Sequence, residues 1–196
     1  MMTSRSLLAV GLATCLGLVG CSSHIRNASS SEIERLVSFD AHREQPAWLA
    51  PELQVQHYRQ LFYGYDTVYY RLAKLDGVER NGDASVQLLI DAHYGGDRRH
   101  YDLAKEADGT TRKTKARDHQ AERCQFFNNL VYSCLYRDRA SLDLQRSELE
   151  QARRMGLTIT LSSSNADYER IELPPAYIDG FLQATASNRH QPAMVR

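Results

Sequence analysis

The chain has no net charge to spare: 24 Lys and Arg stand against 24 Asp and Glu over 196 residues. That balance argues against a dedicated nucleic-acid binder, which is basic overall. Long apolar runs are also missing. Leu7 to Val19 covers only 13 residues, whereas a membrane-spanning helix needs about 20. A mean hydropathy of −0.50 excludes a polytopic membrane protein. The sequence contains no Gly-x-Ser-x-Gly elbow, Walker loop, Gly-x-Gly-x-x-Gly turn, His-Glu-x-x-His or Cys-x-x-Cys. These gaps do not remove enzymes altogether, because catalytic triads are defined by geometry rather than spacing. Nothing in the sequence implies a cofactor.

What is present begins at the N-terminus. Arg5 is the lone charge among the first twenty residues, and the short apolar run follows it. This is the layout of a secretory signal peptide. It closes on Leu18-Val19-Gly20-Cys21, with Ser22-Ser23 directly after. The tetrad resembles the lipobox of bacterial lipoproteins: a branched apolar residue, a small or apolar one, Gly or Ala, then Cys. The resemblance covers about 20 residues, and the rest of the chain carries no recognised family pattern. It implies cleavage before Cys21, diacylglycerol on the Cys21 thiol, and often a third acyl chain on the new amino group. A single acyl chain binds membranes only marginally, whereas two or more anchor stably. Ser22 after the lipidated cysteine is compatible with transfer to the outer membrane. The expected organisation is a signal peptide at 1–20, a lipidated Cys and flexible tether at 21–30, a globular domain at 31–186 and a polar tail at 187–196.

Four cysteines occur. Cys15 lies in the signal and Cys21 takes lipid, which leaves Cys124 and Cys134 in an oxidising compartment, where a disulfide is expected. Phe126-Phe127 and Leu130-Val131-Tyr132 flank Asn128-Asn129, a turn signal. A three-residue loop, Asn128 to Leu130, places Cys124 opposite Cys134. A two-residue loop would throw the thiols onto opposite faces.

Ser31 with Glu34 reads as a capping box opening a helix to about Arg43, and a second helix is read from Pro51 through Phe62, although the same stretch also reads as alternating Leu53, Val55 and His57. Residues Thr67 to Leu75, Ala84 to Ala92 and Arg99 to Lys105 read as a meander, with turns at Asn81-Gly82-Asp83 and Gly95-Gly96. The stretch Asp108 to Gln120, apolar only at Ala116, reads as a long exposed tip. The Cys strands run to about Leu144. Ser147 and Glu150 form a second capping box on a helix to Met155, stopped by Gly156. Strands at Leu157 to Leu161 and Tyr168 to Leu173 flank a turn at Ser162 to Asp167, and Pro174-Pro175 begins a final helix. The fold class is α+β: a mostly antiparallel sheet of six or seven strands, two N-terminal and two C-terminal helices, in a single domain.

Three clusters stand out chemically. Asp91, His93, His100 and Asp102 flank Gly95-Gly96. In a hairpin joining these strands they would face one another and offer Zn²⁺ two imidazoles and two carboxylates; solvated hairpin ends are the plainer reading. Arg112, Lys113, Lys115 and Arg117 form a basic run suited to anionic headgroups or to solvent. Tyr58, Phe62, Tyr63, Tyr65, Tyr69 and Tyr70 crowd together as a possible protein interface, or as core. The expected function is a non-enzymatic interaction or scaffold lipoprotein at the periplasmic face of the outer membrane. It would be held by acyl chains and bind an envelope protein, not nucleic acid. The alternatives are a small-molecule, glycan or metal-binding lipoprotein, and an envelope hydrolase.

Overall fold

The structure is a computed structural model that describes residues 21–58, 65–80, 83–127, 131–162 and 166–186. Among them are four helices and eleven strands, arranged as two antiparallel sheets, which is an α+β fold. The strands expected at Thr67 to Leu75, at Ala84 to Ala92 and around the two cysteines fall in the larger sheet, whereas those expected at Arg99 to Lys105, Leu157 to Leu161 and Tyr168 to Leu173 fall in the smaller; the division into two sheets was not foreseen.

The chain starts with α1 (Cys21–Arg26) and α2 (Ser30–Leu36). The segment read as a flexible tether is therefore partly helical and fastened down. Ala28 is buried, Ile25 packs against the core, and Arg26 donates to the Tyr70 hydroxyl at 2.9 Å. The capping box sits two residues before the expected one, on Ser29 and Glu32 instead of Ser31 and Glu34. Both pairs have the right spacing, so tertiary packing decides between them. With Ser29 as cap, Ala28 precedes it and Ile33 falls one turn in, and both are buried. This is the staple arrangement that fixes a helix entry. The helix ends at Leu36 rather than Arg43. Phe39 instead joins β1 (Ser38–Asp40), where it packs on Trp48 of β2 (Ala47–Leu49) with ring centroids 5.0 Å apart.

The helix expected from Pro51 is strand β3 (Leu53–Tyr58). The alternation of Leu53, Val55 and His57 prevails over the helical spacing, because Leu53 pairs with Tyr70 and fills the core. Residues 59–62 of that expected helix lie outside the described residues. Strands β4 (Tyr65–Arg80) and β5 (Asp83–Gly96) form the centre of the large sheet, followed by β9 (Val131–Leu144) and the edge strand β8 (Lys115–Phe127). β2 and β3 share the far edge of β4, with β1 beyond β2. The small sheet runs β11 (Asp167–Leu173), β10 (Leu157–Ser162), β6 (Leu103–Glu106), β7 (Thr111–Lys113).

Two strand expectations are corrected. Gly95-Gly96 is not a turn between paired strands: β5 continues through Gly96 and pairs with β4 and β9, while β6 belongs to the other sheet. The stretch Asp108 to Gln120 is not a loop throughout, since it supplies β7 and the first half of β8. Its lack of apolar residues suits a sheet edge, where charge discourages pairing with another chain. Two register shifts in β8, at Ala116/Asp118 and Ala121/Arg123, twist that edge further. The turns at Asn81-Gly82, within Ser162 to Asp167 and at Asn128 to Leu130, and the tail at 187–196, lie outside the described residues in whole or part.

The register Phe127↔Val131 and Cys124↔Cys134 is the one the three-residue connection requires, and the two cysteines form a disulfide. Its closed loop is short, so reduction is expected to lower stability by about 3 kcal/mol in the chain-entropy view. Denaturant titration of Cys124→Ser/Cys134→Ser against the native chain measures this.

The second capping box also shifts, to Gln145 and Glu148, at the start of α3 (Arg146–Ala152). Gly156 does adopt the left-handed conformation expected of a stop, with φ of 80°. The last helix, α4 (Pro175–Ala186), buries Tyr177, Ile178, Phe181 and Leu182. A single apolar cluster joins the inner face of the large sheet (Val68, Tyr70, Leu72, Leu88, Ile90, Leu142) to Ile159, Leu161 and Ile171 of the small sheet and to Ile33 and α4. The hydroxyls this core swallows are all bonded. Tyr177 donates to Pro51 O at 2.8 Å and accepts from Leu72 N–H, and Tyr70 donates to Glu172 O at 3.0 Å. A buried hydroxyl left without such a partner would cost about 1–3 kcal/mol.

Candidate functional site

The aromatic cluster does not form one patch. Tyr70 is core, 1% exposed, which removes it from any interface. Tyr69 is half-buried and stands edge-on to His93, with ring centroids 5.7 Å apart. Tyr58 is exposed. Tyr65 opens β4, and Phe62 and Tyr63 lie outside the described residues. Because successive strand residues point to opposite faces, Tyr69 and Tyr70 are necessarily parted.

The basic run is dispersed as well. Arg112 is paired with Glu106 at 2.8 Å and Glu148 at 2.9 Å, and Lys115 with Asp143 at 2.6 Å. Arg117 turns onto the sheet face, and Lys113 is exposed. Only Lys113 remains a freely solvated cation of the kind the run suggested.

The proposed Zn²⁺ constellation does not assemble. His93 lies opposite Thr67 and Arg137, not His100, and Asp91 lies opposite Tyr69 and Arg139, not Asp102. His100 and Asp102 are exposed in the connection to β6. Among the described residues no group of three or more His, Cys, Asp or Glu is placed to hold a metal ion. The pairing fails because β5 takes β9 as its neighbour, a partner of eleven registered pairs.

What the sheet does assemble is a polar outer face. Opposite the core, residues of β4, β5, β9 and β8 meet in rows: Tyr69, Asp91, Arg139 and Asp118 in one, Arg71, Leu89, Ser141 and Lys115 in the next. The connection from β1 to β2 brings Arg43 and Glu44 over this face, where Ala47, Leu49, Ala73 and Leu75 form a small apolar footing. The result is a cleft of about 490 Å³ with Arg43, Arg71, Arg117, Arg137 and Arg139 in its walls. Tyr69, Glu44, Glu52, Asp91 and Asp118 complete the polar lining.

The charges are unequally matched. Arg137 grips Asp91 with two hydrogen bonds, from Nε at 2.8 Å and Nη2 at 2.5 Å, and Arg139 reaches Asp118 at 3.9 Å. Partial burial opposes ionisation of Asp91, but the Arg137 bonds and charge prevail and hold its carboxyl below the usual range. The sign of the linkage follows. A lowered native pKa adds stability above the unfolded value, about 3.9, and that stability is lost as pH falls through the native pKa. Asp91→Asn is therefore expected to flatten the acid limb of the stability curve below about pH 4. Thermal melts between neutral and strongly acid pH check it.

Arg117 is held differently, by neutral groups. Its Nε donates to Ser141 Oγ at 3.1 Å and its Nη2 to Gln87 Oε1 at 2.5 Å. Gln87 in turn donates to Asp143 Oδ1 at 2.8 Å. The guanidinium groups of Arg43 and Arg71 make no ion pair or hydrogen bond among the described residues. Burial first, then the charges of Arg71 and Arg117, push Arg43 below its ordinary value.

A second cleft, of about 570 Å³, opens beside β3 and β11 and is lined by Arg26, His57, Tyr58 and Glu169 among others. Glu169 is 3% exposed and meets His57 Nε2 at 2.9 Å. A third polar group lies inside the fold. Arg99 donates to Asp66 Oδ2 at 2.6 Å and to the Tyr101 hydroxyl, and lies over the Tyr94 ring. Tyr94 donates to Asp138, whose other oxygen meets His119 Nδ1.

Sequence reasoning missed Arg43, Arg71, Arg137 and Arg139, and the His57–Glu169 and Asp66–Arg99 pairs. Alternation was the available signal for three of them. Arg137 and Arg139 alternate with Asp138, Ala140 and Leu142, as Tyr69 and Arg71 do with Val68, Tyr70 and Leu72. Comparison of the chain with protein-family models, curated proteins and solved structures finds no match. No helix among the described residues is long and apolar enough to cross a membrane.

Proposed function

We propose that this protein is a lipid-anchored, non-enzymatic binding protein of the outer membrane. On this reading Cys21 carries the anchor, the domain faces the periplasm, and the polar outer face of the large sheet is its recognition surface. The observation that carries the reading is Leu18-Val19-Gly20-Cys21 at the end of a short apolar run. The docking of α1 agrees with it: with Arg26 bonded to Tyr70 and Ala28 buried, little slack separates Cys21 from the domain. The domain would then ride close to the bilayer. We also take the described chain as one domain, a view supported by the single apolar cluster that spans both sheets and three of the helices.

Membrane fractionation tests the proposal. The native chain is expected in the outer-membrane fraction, and Cys21→Ser in the soluble or inner-membrane fraction, because an unprocessed or unacylated chain loses the two-chain anchor. Equal partition of both chains would sink it.

A further inference from the structure

We propose that Arg43, Arg71 and Arg117 form a binding site for a phosphate-class anion, a phosphomonoester or diphosphate carried by a soluble ligand or by a lipid headgroup. The proposal deepens the reading of the outer sheet face as a recognition surface and depends on it.

The pairing on that face singles these three out. Arg137 and Arg139 have Asp91 and Asp118 as counter-ions. Among the described residues, Arg117 bonds to the neutral Ser141 and Gln87, and the guanidinium groups of Arg43 and Arg71 make no ion pair. The three come from separate elements onto one spot. Arg71 is registered with Leu89, and Leu89 with Ser141, the residue on which the Arg117 guanidinium rests. Arg43 descends from the β1–β2 connection and lines the same cleft, as well as an adjoining hollow that it shares with Arg117. Like charges gathered at the mouth of a cleft repel one another, and the repulsion is weakened least where water is partly excluded. A multivalent anion converts that repulsion into attraction.

The site is braced from behind. Lys115 holds Asp143 at 2.6 Å, Asp143 accepts from Gln87, and Gln87 accepts from Arg117. This chain fixes the Arg117 fork before any ligand arrives, which limits the ordering cost of binding. The donors suit phosphate. A guanidinium presents a planar fork that meets two phosphate oxygens at once. A dianion with three free oxygens can engage three such forks, whereas a single carboxylate leaves two cations unneutralised. Glu44 and Glu52 line the same cleft and repel further negative charge. They favour one compact anionic group over an extended polyanion.

Calorimetry on the full chain carrying Cys21→Ser, so that no acyl chain contributes, tests the site. The probes are pyrophosphate, inorganic phosphate and acetate, together with phosphatidylcholine vesicles with and without phosphatidic acid. Saturable one-to-one binding of pyrophosphate, or binding to phosphatidic acid vesicles alone, is expected, with acetate at least tenfold weaker than the phosphate probe. R43Q/R71Q is expected to weaken binding at least tenfold while melting at or above the parent temperature, since it relieves like-charge crowding. K113Q is expected to leave affinity within twofold. Binding to pyrophosphate only marks a soluble ligand, and binding to phosphatidic acid vesicles marks a headgroup. Absence of binding to both, or an affinity unchanged in R43Q/R71Q, overturns the proposal. Because these measurements use unacylated protein, their failure leaves the anchoring of Cys21 standing or falling on its own test.

Discussion

Arg99→Met is expected to cost about 3–5 kcal/mol of stability, the usual penalty for stripping one partner from a buried ion pair. Asp66 is 1% exposed and Arg99 4%, so neither charge can turn to water when its partner is removed. The loss extends past the pair. Arg99 also donates to the Tyr101 hydroxyl at 3.2 Å and lies 4.5 Å from the centre of the Tyr94 ring. Tyr94 and Tyr101 sit at the end of β5 and just before β6, so Arg99 ties the large sheet to the small one. Burial raises both phenols well above their ordinary values, which keeps both hydroxyls neutral throughout the accessible pH range. A double variant, Asp66→Leu/Arg99→Met, is expected to be less damaged than Arg99→Met alone, because both charges of the buried pair are removed together. Urea titrations of the native chain, both single variants and the double variant measure the coupling. Equal losses in Arg99→Met and the double variant would assign the cost to packing rather than to stranded charge.

Gly180→Val is the second large effect, expected at about 2–3 kcal/mol from overpacking. Gly180 is where α4 meets α2. A Cβ at that position would lie 2.3 Å from Ser30 O, 2.7 Å from Ile33 Cβ and 3.0 Å from Glu34 N. Two of these are backbone atoms and cannot swing aside. From sequence, Gly180 is only a weak helix residue, about 1 kcal/mol worse than Ala; the helix crossing explains its presence. Gly180→Ala gains that propensity but meets the same wall, so its net cost is expected to be smaller than that of Val. The position of the damage matters for the proposed anchoring. Displacing α2 frees the capping turn at Ser29 and with it α1, so the start of the domain loosens from its body. Limited trypsin digestion reads this directly. Cleavage after Arg26 and Arg35 is expected to be fast in Gly180→Val and slow in the native chain.

The strands with strict alternation were legible from residues alone. β4, β5, β10 and β11 fall where Tyr, Val, Leu and Ile recur every second position, and the disulfide register followed from a parity argument that needs no coordinates. The misreadings share one cause. Local spacing was ambiguous and distant partners settled it. Leu53 could serve a helix or a strand until Tyr70 claimed it as a cross-strand neighbour. Ser31 was read as the cap, but Ser29 stands at the same spacing from its own Glu, and with Ser29 as cap Ala28 and Ile33 both enter the core. The polar stretch at 108–120 looked like a loop because an edge strand, with no second neighbour and little burial, shows no apolar pattern. The candidate sites suffered most, since a site gathers residues that are remote in sequence. Arg43, Arg71 and Arg117 are separated by 28 and 46 positions, and it takes the sheet register together with the β1–β2 connection to bring them to one cleft. The expected Zn²⁺ cluster failed for the converse reason: residues near in sequence were divided between two sheets.

The proposed position of the domain against a bilayer rests on the chemistry at residue 21. Intact-mass and fragment-ion measurement of the mature protein purified from a membrane fraction is the direct test. The expected result is a chain whose first residue is Cys21, bearing a diacylglyceryl group on sulfur. A free thiol at Cys21, or a product that still contains residues 1–20, would contradict it.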